Sequence, residues 1–233
     1  PADCLTLLKT ASCIGNNFGL KILAQYNEQT AAEITAILWP AIEQEIILPM
    51  SEDYRLVTNN EDLGVRYKFH HDRIHHAAYV LTEESKCKEI HLKVGRLLLK
   101  YVSPEEQHEK LITIVRHFNE SLDLLTDPEE KKTISGLNLL AGKKAQSAIA
   151  YLSAFNYFKS GIELLPPTLW DTQYALAFQL HKGYAQNAYQ LNDLATAEAS
   201  IDLLLSKAHT KLEKVDLLAI RMRQYTTLGK PEE

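Results

Sequence analysis

A cluster of histidines between residues 69 and 79 is the part of the sequence whose residue types come closest to a reactive site. The segment reads FHHDRIHHAAY, and its possible metal ligands are His70, His71, Asp72, His75 and His76. His71 and His75 are four residues apart, so on a helix they share one face and can chelate zinc. A zinc helix of the metalloprotease type needs a glutamate beside the first histidine, and Asp72-Arg73 does not supply it. A metal-dependent hydrolase at His70–His76 therefore stays an alternative, and we expect neither a metal nor a cofactor.

A second segment resembles the end of a phosphate-binding loop but lacks the residues that the chemistry needs. Gly142-Lys143-Lys144 fails the pattern G-x-x-x-x-G-K-[ST], because Gly136 lies one residue too far upstream and Lys144 replaces the hydroxyl residue. The segment also reads as helix, with no strand before it. We therefore expect that this chain is not an enzyme. For the histidine cluster we expect a structural role, in which the His-Asp-Arg group ties the last strand to the first long helix by hydrogen bonds.

The elements that must position the histidine cluster have the order of a winged-helix domain. Apolar spacing predicts helices over residues 3–13 and 18–26, and a third helix from Thr30, where Thr30 and Glu33 form a capping box. Pro40 is expected to kink or shorten that third helix. Residues 46–50, 54–57 and 65–69 read as short strands. We assign residues 1–82 to a winged-helix-like domain.

A winged helix raises the possibility of a DNA-binding transcriptional regulator. Its third helix would then need basic residues that face phosphates. Residues 30–45 contain no lysine or arginine, and residues 1–60 hold three basic against seven acidic residues. We keep DNA binding as an alternative and do not expect nucleic acid as a partner. Trp39 and Trp170 lie beside apolar neighbours and are expected in the core.

The rest of the chain reads as helices, with a repeat signature in the middle. Small residues and an aromatic fall at the offsets of a tetratricopeptide-type helical hairpin, namely Gly142, Ala154, Phe158, Gly161 and Pro166. A weaker copy follows after 43 residues, at Ala185, Ala188, Ala197, Ile201 and Leu204. A third unit begins near Lys214 and lacks its second helix. Residues 83–233 are thus predicted to form a tetratricopeptide-like α-α superhelix that is truncated at the C-terminus.

Composition indicates the class of protein and its expected cellular environment. The 233 residues carry a net charge of −5 and are 45% hydrophobic, and no apolar run is long enough to cross a membrane. The chain begins with a proline and reads as a piece of a longer protein. Three scattered cysteines, Cys4, Cys13 and Cys87, do not form a disulfide framework, and Cys4 and Cys13 are expected to be buried thiols. We expect a cytoplasmic protein without membrane contact.

Three segments together resemble a known family. FHHDRIHHAAY, then HLKVGRLLL at 91–99, then LNLLAGKKAQSAIAYLSAFNYFKSGIELL at 137–165 are similar to the region after the ATPase module in large bacterial multi-sensor signalling kinases. Those proteins join a serine/threonine kinase-like domain, a STAND-type AAA ATPase, helical repeats, sensor domains and a histidine kinase. The resemblance implies a winged helix that follows the ATPase core, and then superhelical repeats.

The resemblance also implies a role without catalysis for this chain. The ATPase motifs, the kinase lobes and the phosphoacceptor histidine of such proteins are not in this sequence. In STAND proteins the winged helix contacts the nucleotide-binding core, sometimes through a histidine that senses the nucleotide phosphate. His71, with Asp72 and Arg73, is the corresponding candidate for an interdomain relay.

The sequence thus predicts a regulatory and protein-interaction module. The repeats would bind a partner protein or a neighbouring domain, and the winged helix would relay that event to the ATPase. Apolar positions on the last helix, such as Leu217, Leu218 and Tyr225, are expected to be uncovered. Any oligomer of this chain would then follow from that uncovered face.

Overall fold

The chain folds into two mainly helical units. The computed structural model describes residues 1–57, 64–101, 104–166 and 168–227. That part of the chain is 77% helix, which confirms the prediction of a mainly α protein. The compact units are Pro1–Leu124 and Leu125–Glu233. The structure groups residues 83–124 with the N-terminal unit, whereas the assignment of residues 1–82 and 83–233 to two domain types stays a prediction.

The N-terminal unit contains six helices and three short strands among its described residues. In chain order these are α1 (Ala2–Ile14), β1 (Asn17–Gly19), α2 (Leu20–Asn27), α3 (Ala31–Glu43), β2 (Ile47–Pro49), β3 (Arg66–Phe69), α4 (Asp72–Val80), α5 (Glu84–Tyr101) and α6 (Pro104–Asn119). Short 3-10 helices lie at Glu52–Leu56 and Leu122–Leu124. Helix α1 packs against α3, α4 and α5, so it lies at the centre of this unit.

The strands form one antiparallel sheet in the order β1-β3-β2. Phe18 lies opposite Tyr67, and Ile47 lies opposite Phe69. Along β3 the side chains alternate, with Tyr67 and Phe69 buried and Arg66 exposed. The aromatic face packs into the core, where the rings of Phe18 and Tyr67 are 5.8 Å apart.

One strand prediction is wrong, and one strand was not predicted. Residues 54–57 lie in and after the 3-10 helix Glu52–Leu56 and not in a strand, and Arg55 pairs with Glu52 one turn earlier at 3.1 Å. The residues that follow, 58–63, lie outside the described chain. Strand β1 was not predicted, because its three residues are too few to show an alternating pattern.

Helix α3 shows which local signals were decisive. The predicted capping box is present: the Glu33 amide donates to the Thr30 hydroxyl at 3.2 Å, and the Thr30 amide donates to the Glu33 carboxylate at 2.8 Å. The helix continues through Pro40 to Glu43, so the proline does not end it. Trp39 is 45% exposed and donates to Glu43 at 2.7 Å, so its predicted place in the core is wrong.

The C-terminal unit is a series of helices in which neighbours along the chain pack together. They are α7 (Pro128–Ser147), α8 (Tyr151–Glu163), α9 (Leu169–Thr172), α10 (Tyr174–Gln190), α11 (Leu194–Lys207) and α12 (Lys211–Thr227). Asp127 caps α7 by accepting from the Glu130 amide at 2.7 Å. Helix α8 packs against both α7 and α10, α10 packs against α11, and α11 packs against α12.

The last helix is better covered than the sequence suggested. Leu217 is fully buried in a cluster with Phe178 and Leu204, so the prediction that it is uncovered is wrong. Leu218 is 44% exposed, as expected, and the side chain of Tyr225 lies outside the described set. Trp170 is half-buried and packs against the same cluster.

Candidate functional site

Three consecutive exposed side chains begin helix α4: His71, Asp72 and Arg73. We call these residues the α4 turn. His71 is the residue before the helix, and its carbonyl accepts from the amides of Ile74 and His75 at 2.9 and 3.2 Å. Its backbone is therefore fixed, while its imidazole makes no capping hydrogen bond. The turn presents an imidazole, a carboxylate and a guanidinium side by side.

Asp72 is held by its place on the helix and by a neighbouring loop. A carboxylate in the first turn of a helix interacts favourably with the helix dipole. The side-chain amide of Asn16, just before β1, donates to Asp72 at 3.1 Å. The α4 turn is thereby tied to the loop that connects α1 and β1.

The flanking histidines anchor the turn. The Nδ1 atom of His70 lies 2.9 Å from the Glu45 carbonyl, and the Nε2 atom of His75 lies 2.9 Å from the Ser12 carbonyl. Because a carbonyl only accepts, each ring donates an N–H there. His75 also packs on Phe69, with ring centroids 5.2 Å apart. His70, His75 and Asp72 thus tie the strand-to-helix junction to Glu45, Ser12 and Asn16, which are not the strand-to-helix hydrogen bonds that the sequence predicted.

These anchors give no support to the metal-hydrolase alternative. His70 and His75 are directed to carbonyls on different elements, and so these two rings do not converge on one point. Among the described residues there is no group of three or more His, Cys, Asp or Glu side chains placed to hold a metal ion.

A second pair of histidines, which the sequence did not predict, lies inside the N-terminal unit. The Nδ1 atoms of His91 on α5 and His117 on α6 are 2.8 Å apart, and both side chains are buried. Burial lowers the pKa of His91 to about 4, with a further contribution from Arg116. Burial, the neighbouring His91 and then Arg116 lower the pKa of His117 to about 3. Both rings are neutral at physiological pH and do not act there as acids.

The predicted repeat residues meet at Phe158 in the C-terminal unit. A Cβ atom added to Gly142 on α7 would lie 2.6 Å from the Phe158 ring, and one added to Gly183 on α10 would lie 2.5 Å from it. Both distances are below van der Waals contact, so each glycine lets a helix approach the ring. The ring, which is 1% exposed, is therefore held between two helix backbones.

The other signature residues lie along the same helix or at its end. Ala154 and Gly161 on α8 are buried, and a Cβ atom on Gly161 would lie 2.7 Å from Leu180. The Ser135 hydroxyl donates to the Gly161 carbonyl at 2.8 Å. Pro166 is exposed, three residues after α8 ends at Glu163.

Gly183 is the contact residue that sequence reasoning missed. The weaker repeat was aligned through Ala185, which is also buried, but the close approach to Phe158 is made two residues earlier. A search for a second glycine near the expected offset would have found it.

Comparison with known proteins gives one distant relative with a signalling name. The chain is 26% identical over 270 residues to "Hybrid signal transduction histidine kinase G" of Dictyostelium discoideum, and the match covers 94% of this chain. The chain spans 8% of the length of that protein. No family model matches the chain, and no solved structure matches it. The relative is consistent with a signalling-kinase context.

None of the described helices is both long enough and apolar enough to cross a membrane.

Proposed function

We propose that this chain is a non-catalytic regulatory and protein-interaction module of a larger signalling ATPase or kinase. The observation that carries the proposal is the α4 turn, which presents three exposed side chains of different chemistry on a backbone anchored through its neighbours His70 and His75, with Asp72 also held by Asn16. An anchored backbone favours recognition of a partner, because less conformational freedom is lost on binding. The signalling histidine kinase among its relatives supports the same context.

The N-terminal part is proposed to be a winged-helix-like domain. Its elements run helix, strand, two helices and two further strands, and the sheet order is β1-β3-β2. In this arrangement the α4 turn directly follows β3, the last strand. The resemblance to multi-sensor kinases suggests that this turn faces the nucleotide-binding core of a STAND-type AAA ATPase, which is the proposed partner domain.

The C-terminal unit is proposed to be a tetratricopeptide-like array that receives a partner protein or a neighbouring domain. Paired helices with small residues at their crossings, as at Gly142 and Gly161, are the feature that supports this. Binding there would shift the face that the α4 turn presents, and thereby alter nucleotide release or oligomerisation of the ATPase. Such a relay needs no reactive residue in this chain.

DNA binding is not favoured by the surface of α3. Its exposed side chains follow one face of the helix, and they are Glu33, Ala36, Trp39 and Glu43. The two carboxylates repel phosphate groups, and the indole carries no positive charge that could neutralise them. Salt-dependent capture of duplex DNA by this chain would nevertheless overturn the proposal of a protein partner.

The proposal is tested by immobilising this chain and probing it with the recombinant ATPase module of the same full-length protein, with and without ATP. The expected result is capture that depends on the nucleotide. Failure to capture the ATPase module both with and without ATP would contradict the relay. Intrinsic ATP hydrolysis by this chain alone would contradict its non-catalytic role.

A further inference from the structure

A cleft of about 530 Å³ on the N-terminal unit adjoins the α4 turn through Asn16, which lines the cleft and donates to Asp72 at 3.1 Å. Its walls come from residues 14–22, from β3 and the residues just before it, and from helices α5 and α6. Its size is within the range of about 300–1,000 Å³ that is usual for small-molecule sites. None of the three residues of the α4 turn lines it.

Four of the side chains that line the cleft are basic. They are Lys21, Arg66, Lys110 and Arg116, and the lining carboxylate among the described residues is Glu106. Glu106 pairs with Lys110 at 3.2 Å, on one face of α6. Within the described chain, neither Lys21 nor Arg66 forms an ion pair. The cleft is therefore locally positive, although the whole chain carries a net charge of −5.

Arg116 is fixed in the wall of the cleft. Its Nη2 atom donates to the Ile14 carbonyl at 3.1 Å, at the end of α1. A guanidinium has five N–H donors in a rigid fork, so this bond leaves donors for an anion. Arginine held in this way suits bidentate contact with phosphate oxygens.

The other walls are apolar or neutral. Phe18, Ile22 and Leu98 supply apolar surface, and the exposed ring of Tyr101 lies at the edge. His117 also lines the cleft: its side chain is fully buried, and its Nε2 atom has no hydrogen-bond partner among the described residues. The cleft thus combines phosphate-binding donors with a surface on which a flat ring can pack.

We propose that this cleft binds an organic phosphate of about the size of a mononucleotide. The basic side chains hold the phosphate groups, and the apolar and aromatic walls hold the ring. This site is separate from Gly142-Lys143-Lys144, which lies in the other unit. The proposal goes beyond the relay and does not depend on it.

Titration calorimetry with ADP, pyrophosphate and adenosine tests the proposal on the full chain. We expect ADP to bind more tightly than either pyrophosphate, which has no ring, or adenosine, which has no phosphate. We also expect the affinity for ADP to fall as salt rises. Absence of ADP binding at about 1 mM, or equal binding of adenosine, would overturn the proposal. Equal binding of pyrophosphate would overturn the role of the ring.

The double variant Lys21→Gln/Arg66→Gln tests the assigned residues. Both side chains are exposed, so the fold is expected to be kept, and circular dichroism checks this. We expect a loss of affinity for ADP of about tenfold or more. The matched control is Lys9→Gln/Lys68→Gln, which removes the same charge from the same unit outside the cleft and should change affinity much less. Equal losses in both double variants would overturn the assignment.

The variant His71→Ala distinguishes ligand binding in the cleft from the relay through the α4 turn. His71 lies outside the cleft, so its removal should leave the affinity for ADP unchanged. Loss of ADP binding in this variant would overturn the assignment of the ligand to the cleft.

Discussion

The imidazole rings of His91 and His117 share a hydrogen bond between their Nδ1 atoms, which lie 2.8 Å apart. One ring must donate and the other accept, so the two rings hold complementary tautomers. The side chains are 5% and 0% exposed, and neither Nε2 atom has a partner among the described residues. Because a proton added to either ring would be buried, the pair favours the neutral state of both.

The pair predicts that the N-terminal unit loses stability in mild acid. The folded pKa values are about 4 and about 3, below the value near 6.5 of a free histidine. The unfolded chain therefore binds more protons between pH 6.5 and pH 3, and stability present above pH 6.5 is lost as the pH falls. We expect the free energy of unfolding to decrease by several kcal/mol between pH 6.5 and pH 3 because of this pair. Urea unfolding at a series of pH values measures it.

The double variant His91→Leu/His117→Phe separates this effect from the titration of carboxylates. Removing both rings avoids a single unpaired imidazole, and the slope of stability against pH between 6.5 and 4 should become flatter. The exposed His76 supplies the control, since His76→Gln should keep the original slope. Identical slopes in all three proteins would contradict the role of the buried pair.

The close contacts of Phe158 predict that two glycine-to-alanine changes destabilise the C-terminal unit, whereas a third, away from the ring, stabilises it. Gly142→Ala and Gly183→Ala each place a methyl group within 2.6 Å of the ring, and overpacking should destabilise the C-terminal unit by roughly 1–3 kcal/mol. Gly136→Ala, also in α7, meets nothing within 4 Å and should stabilise it by roughly 0.5–1 kcal/mol, because alanine favours helix. Chemical denaturation measures all three. A neutral Gly183→Ala would contradict the packing described.

The buried cysteines predict slow modification of the native protein. The Sγ atoms of Cys13 and Cys87 lie 3.4 Å apart, and burial, with the neighbouring Cys87, raises the pKa of Cys13 to about 12. Since only the thiolate reacts, we expect Cys13 to be labelled at least about a hundredfold more slowly than a free thiol. Labelling with a disulfide reagent, with and without denaturant, tests this. Rapid modification of native Cys13 would contradict its burial.

An apolar stripe on α12 predicts self-association that depends on concentration. Four exposed side chains repeat along the helix at intervals of three or four residues, namely Leu212, Val215, Leu218 and Met222. We expect Leu212→Gln/Val215→Gln/Met222→Gln to weaken association in sedimentation velocity. The control Leu140→Gln/Ile149→Gln/Leu152→Gln removes exposed apolar groups elsewhere in the same unit. An equal effect of the control would contradict a specific role of the stripe.

Local signals in the sequence predicted local structure well. The capping box of Thr30 and Glu33 and the cap at Asp127 depend on residues three positions apart, so the sequence contains the whole interaction. Strand pairing depends on distant residues. Residues 54–57 have strand-like side chains, yet β3 pairs instead with β1 and β2.

The sequence did not predict the contacts between side chains that are far apart along the chain. His91 and His117 are 26 residues apart on two helices, and their contact depends on how α5 packs on α6. The position of Gly183 against Phe158 depends on where α10 crosses α8. For the α4 turn, the sequence identified His71, Asp72 and Arg73, but not that Asn16 holds Asp72.

The most direct test of the central claim is the affinity of this chain for the ATPase module of its full-length protein, measured for variants of the α4 turn. The triple variant His71→Ala/Asp72→Asn/Arg73→Ala should lose about tenfold or more in affinity, whereas His76→Ala, an exposed histidine on the same helix, should bind like the unmodified chain. Equal affinity of the triple variant and the unmodified chain would contradict the account.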